Sequence, residues 1–108
     1  MGIVSYILKG HEVVEEPDLQ RWITWRLATP FSDMSVGQDQ IGPYAVSTIF
    51  LCLNLAGGTD RPPHVFETAI FDNQGEVIIC GRCSTWEQAE EQHKRVCEEY
   101  RKKVDVKN

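Results

Sequence analysis

The stretch 44–71 constrains this chain most. Two runs rich in Val, Ile, Leu, Phe and Thr, Y-A-V-S-T-I-F-L-C-L-N-L and H-V-F-E-T-A-I-F, flank a loop that carries glycines and prolines. Runs of that composition, bounded by Gly and Pro, read as neighbouring strands at the centre of a sheet. Over residues 45–55 one alternating set is Ala45, Ser47, Ile49, Leu51, Leu53 and Leu55, and the other is Val46, Thr48, Phe50, Cys52 and Asn54. Both sets are largely apolar, which predicts a strand covered on both faces.

The flanks follow from turn and helix signals. Residues 3–8 read as a first strand, with Lys9-Gly10 as its turn and Val13-Val14 as a short return. Pro17-Asp18 starts a helix in which Leu19, Trp22, Ile23 and Leu27 fall at helical spacing, with Trp25 on the margin. It should end near Ala28, because Thr29 precedes Pro30. Residues 34–41 read as a more exposed strand, Gly42-Pro43 as the turn into the central strand, Asp72-Asn73-Gln74-Gly75 as a polar turn, and residues 76–82 as the closing strand.

Ser84-Thr85-Trp86-Glu87 fits a capping box with Ser84 at the N-cap. Trp86, Ala89, His93, Val96, Cys97, Tyr100 and Val104 then share one stripe, predicting a helix over 85–102. The expectation is one α+β domain spanning residues 1–108. It has a mostly antiparallel sheet, a meander of about four strands plus an N-terminal strand, with two packed helices, the longer one C-terminal.

A chain of 108 residues can bury one core without metal or disulfide staples. Its net charge of -5 argues against a surface that tracks phosphates, so no nucleic-acid partner is expected. No apolar run approaches the roughly 20 residues that span a bilayer, and no basic segment precedes an apolar one at the N-terminus. A cytoplasmic protein with no membrane association is expected, with Cys52, Cys80, Cys83 and Cys97 reduced. Cys80-Gly81-Arg82-Cys83 is a C-x-x-C, which in another setting suggests half a zinc site or a redox pair, but no second C-x-x-C or His-spaced pair completes a zinc site. Residues i and i+3 of a regular strand also point to opposite faces. No metal and no cofactor are expected.

Among residues that could carry chemistry, His93 reads as a packed histidine, hydrogen-bonded within the core or at its edge. His64 follows G-G-T-D-R-P-P and can share a region with Asp60, Arg61 and Glu67, where a histidine beside a carboxylate can act as a general acid or base. Surface histidines beside acids also occur with no such role. Glu67, set between Phe66 and Thr68, should lie at an open sheet face, be functional or, the favoured case, pair with a base such as Arg82 or Arg61. Gly57-Gly58 leads through prolines into a strand, which is not a phosphate cradle. No residue is assigned a catalytic role.

V-S-T-I-F-L-C-L-N-L, P-P-H-V-F-E-T-A-I-F and R-C-S-T-W-E-Q-A-E, with Y-I-L-K-G-H-E-V-V at the start, cover most of the chain. They resemble a family of small proteins encoded by bacteriophages and prophages, whose members show a V-S-T-V-F-L-G core, an F-E-T segment and an S-T-W-E-x-A-E helix start. The resemblance implies a location in the cytoplasm of a bacterial host and brings no mechanism with it. After the core strand the family carries an Asp-His pair where this chain has Asn54-Leu55, and an aromatic where Cys83 stands. A catalytic role for that pair would not carry over.

Asn54, Asp60, Arg61, His64, Glu67 and Arg82 are therefore candidates for binding. The leading expectation is a protein that binds a host or phage macromolecule. The alternative is a small enzyme or ligand-binding domain using the His64, Glu67 and Asp60 region. Self-association is also expected. An apolar row of Ile49, Leu51, Leu53 and Leu55 would stay exposed unless the N-terminal strand and residues 29–35 wrapped over it or two copies buried it in a homodimer.

Overall fold

Glycines in the left-handed region mark the sharp turns: Gly10 at φ +62°, Gly42 at +56° and Gly75 at +85°. The computed structural model describes residues 4–54 and 62–106. Around Gly10, β1 (Tyr6–Lys9) and β2 (Glu12–Glu15) form a hairpin of their own. Two helices follow, α1 (Leu19–Ala28) and the single-turn α2 (Phe31–Met34). Then β3 (Ser35–Ile41), β4 (Tyr44–Phe50), β5 (Phe66–Phe71) and β6 (Val77–Cys83) build an antiparallel sheet in the order β3-β4-β5-β6. The long α3 (Trp86–Val106) closes the chain. The α+β meander with its longest helix C-terminal is thus present, and the N-terminal strand pairs with its own return. The start of this hairpin meets the segment just past β4 through the Ser5–Leu53 bridge and the Tyr6 N–H donated to the Cys52 carbonyl at 2.8 Å.

Local chemistry sets the helix ends. Asp18 caps α1 by accepting the Arg21 N–H at 3.0 Å. At α3 the capping box lies one residue later than the sequence suggested. Thr85 Oγ1 accepts the Gln88 N–H at 3.0 Å, and Gln88 Oε1 accepts the N–H groups of Thr85 and Ser84. Trp25, expected at the margin of α1, meets Phe50 edge-on at 6.0 Å. Leu19 and Leu27, expected on the apolar stripe, are exposed.

The faces of β4 also differ from expectation. Val46, Thr48 and Phe50 are buried beneath the helical layer, while Ala45, Ser47 and Ile49 are only half-buried. The strand stops at Phe50 because Cys52 takes φ +71°, a left-handed backbone rare outside glycine. Burial still alternates as far as Asn54, so Leu51 and Leu53 are half-buried like Ile49, and Leu55 lies outside the described residues. The N-terminal elements do not cross to the second face. Leu8, Trp22, Trp25 and Met34 pack with Phe50, Phe66, Trp86 and Ala89 on the α3 side. Among the described residues one sheet face is covered and the other is open.

Beneath α3 the core has two apolar clusters. Phe50, Phe66, Trp86 and Ala89 belong to one, and Val46, Ile70, Val96 and Tyr100 to the other. Between them runs a cross-sheet row in register, Gly37–Thr48–Thr68–Gly81. The glycines on the outer strands leave room for two long polar side chains of α3. A Cβ on Gly37 would lie 2.8 Å from the His93 ring, and one on Gly81 would lie 2.5 Å from the Gln92 amide.

Candidate functional site

His93 sits where the helical stripe placed it, buried and hydrogen-bonded. Its Nδ1 is 2.7 Å from Thr48 Oγ1, which is 2.8 Å from Thr68 Oγ1, and Thr68 donates to Gln92 Oε1 at 3.0 Å. On the other side of the ring, Nε2 is 2.7 Å from Asp39 Oδ2. Cys97, one turn along α3, directs its thiol at the same carboxylate oxygen at 3.7 Å. The hydrogen bond from His93 holds the Asp39 carboxyl below its usual range, helped by the charges of His93 and Arg101 and opposed by partial desolvation. Burial pushes the Cys97 thiol up, and the neighbouring Asp39 charge adds to this.

Asp39, His93 and Thr48 have the order of an acid, a base and a hydroxyl nucleophile, but Thr48 is 0% exposed and cannot meet a substrate. The outer part of the cluster faces differently. The ligating atoms of Asp39, His93 and Cys97 all lie within 4.8 Å of one another, and the Asp39 side chain is 47% exposed. The sequence hid this set because Asp39 arrives from β3, far along the chain. The His93-x-x-x-Cys97 spacing, one helical turn, was the available signal.

The described members of the expected site, Asn54, His64, Glu67 and Arg82, pair two by two. Asn54 is buried and its Oδ1 accepts the His64 N–H at 3.1 Å, so these two meet through backbone. Glu67 is on the open face of β5, paired with Arg82 Nε at 2.9 Å, as one of its expected partners allows. No hydrogen bond or ion pair joins the described residues His64 and Glu67. Asp60, Arg61 and the Gly57-Gly58 loop lie outside the described residues. A cleft of about 660 Å³ is lined in part by Tyr6, His11, Val13, Pro63 and Glu87 and includes neither His64 nor Glu67.

The C-x-x-C expectation needs a geometric correction. A register shift between Thr68 and Ala69 leaves Cys80 bulged from β6, and this breaks the alternation that would separate it from Cys83. Cys80 borders a cleft beside Gln92 and Glu99 of α3, and Cys83 directs its thiol at Gln92 Oε1 at 3.9 Å. Both are on the helix side of the sheet as free thiols.

The two sheet edges contrast. The outer strand β3 carries Gln38, Asp39 and Gln40 and a register break near Gly37, features that discourage strand addition. On the opposite edge β6 presents Val77, Ile78 and Ile79 at 48–53% exposure, with Phe71 of β5 beside them at 42%. No described strand pairs with its outer side. No helix of the described residues is long and apolar enough to cross a membrane. No family model, curated protein or solved structure matches the chain.

Proposed function

We propose that this chain is a phage- or prophage-type protein that acts by binding another protein, and that the partner adds an extended strand along β6. The observation that supports this reading is the stretch Val77–Ile79 of β6, ahead of the bulge at Cys80. Its apolar side chains stand in water while its outer backbone groups lack a described strand partner. Main-chain bonding would supply affinity in such a complex, and alternate side chains on the open face would supply selectivity. A partner segment rich in β-branched and aromatic residues fits Val77, Ile79 and Phe71. The reading as a small enzyme around His64, Glu67 and Asp60 has less support, since Glu67 is held by Arg82.

The test is capture from bacterial host lysate with the parent chain and with Ile79→Lys, quantified by mass spectrometry. Ile79 is half exposed, so the charge should leave the melting temperature nearly unchanged. Recovery of the specific partner should fall about tenfold or more. Identical sets of captured proteins for both chains would defeat the proposal. Light scattering on the same samples would show whether a second copy occupies the edge instead, since a lone chain has a mass of 12.3 kDa.

A further inference from the structure

We infer that Asp39, His93 and Cys97 form a binding site for one divalent cation of the zinc class. The three donors come from two rigid elements. The carboxylate stands on β3, and the imidazole and thiol lie one turn apart on α3, hence on one side of the helix. Tetrahedral zinc bonded to N, O and S sets ligand–ligand separations of about 3.4–3.6 Å. The observed separations are 2.7 Å for N to O and 3.7 Å for S to O, with all three atoms inside 4.8 Å. An outward shift of the Asp39 carboxylate by about 1 Å or less opens the N-to-O gap to those separations. Asp39 is also the exposed member, so that movement disturbs no packing.

The buried hydrogen bonds orient the imidazole for this task. Thr68 spends its one hydroxyl proton on Gln92 Oε1, so the proton between the two threonines belongs to Thr48. Thr48 then has no proton left for His93, and Nδ1–H must be the donor to Thr48 Oγ1. Nε2, the nitrogen facing Asp39 and Cys97, is left to carry either a second proton or a metal ion. Fixing the tautomer through the distal ring nitrogen is how proteins hold a ligating histidine.

Thiolate, imidazole and carboxylate together suit zinc-like ions and not magnesium or calcium, and the two anionic ligands match the two positive charges. Binding releases the Cys97 thiol proton to solvent, together with the Nε2 proton wherever one is held. Three protein donors leave a fourth position for water or an exogenous ligand. Cys80 and Cys83, the pair that cysteine spacing singles out, take no part here.

The full chain, stripped with chelator, should be titrated with Co²⁺ followed by absorption, and with Zn²⁺ by calorimetry. One ion per chain is expected, with a near-ultraviolet thiolate-to-cobalt charge-transfer band that Zn²⁺ bleaches. Cys97→Ala should abolish that band, and Cys80→Ser with Cys83→Ser should leave it intact. Asp39→Ala, with its fold checked by circular dichroism, should weaken Zn²⁺ affinity at least about tenfold. Absence of saturable binding in the parent overturns the inference. So does a band that survives Cys97→Ala or disappears in the Cys80/Cys83 variant, and so does an unchanged affinity in Asp39→Ala.

Discussion

Trp86→Ala should lower the free energy of unfolding by about 3–5 kcal/mol, the range for truncating a buried aromatic. Trp86 is the first residue of α3 after its cap and is 7% exposed. Phe66 meets it edge-on at 6.1 Å, and the His11 ring stacks on it at 3.7 Å with a 5° interplanar angle. The hairpin, the sheet and α3 therefore lose a shared contact together. A domain of ordinary stability holds about 5–15 kcal/mol, so the loss would remove a large part of it. The Trp86 Nε1 is buried with no hydrogen-bond partner among the described residues, so Trp86→Phe should cost much less than Trp86→Ala by removing an unsatisfied donor along with some volume. Urea unfolding followed by circular dichroism gives both values. A midpoint for Trp86→Ala equal to that of the parent would mean that Trp86 is not packed in solution.

Thr48→Val should destabilise by on the order of 2–4 kcal/mol, because each buried polar group left without a partner costs about 1–3 kcal/mol. Valine has nearly the shape of threonine, so the effect isolates the hydroxyl. Thr48 is 0% exposed, and its loss strands His93 Nδ1 and one side of Thr68 at once. Removing the participants in concert, with Thr48→Val, Thr68→Val and His93→Leu, should recover part of the loss, since an apolar layer leaves fewer unmet groups. A single Thr48→Val change within about 0.5 kcal/mol of the parent would show that the network adds nothing to stability.

Much of the architecture could be read from residues that act locally. Gly42-Pro43 and Asp72 to Gly75 mark turns by backbone demands, and the Asp72 carboxylate accepts the N–H groups of Gln74 and Glu76 as such a turn requires. The stripe on α3 was legible because burial follows the helical period from Trp86 to Tyr100. The start of that helix was ambiguous by one residue because Ser84 and Thr85 are both good caps and Glu87 and Gln88 can both reach back. The end of β4 was not legible, since nothing in a cysteine announces a left-handed backbone at position 52. The Asp39, His93 and Cys97 cluster was hidden for another reason. Its members acquire meaning only when strand register and helix docking set them side by side, and neither is written in local composition. His64 and Glu67 stood close in sequence, yet strand geometry gave Glu67 to Arg82.

The row of two threonines between two glycines also limits where α3 can slide. The apolar clusters on either side are permissive, since hydrophobic contacts lack direction and would accept a helix displaced by a turn. The polar layer is not. A shift of four residues one way puts Ala89 over Thr48 and Gly37, and the opposite shift puts Cys97 there. Neither offers a ring nitrogen to the buried Thr48 hydroxyl as His93 does, and Gln92 would leave the notch at Gly81. The layer thus works as a vernier that selects one docking among several of similar apolar content, a role attested for lone polar groups in coiled-coil seams. The all-apolar triple variant should then keep its helix yet show broadened or doubled amide resonances along α3. A single sharp set would mean that the hydrophobic clusters alone fix the alignment.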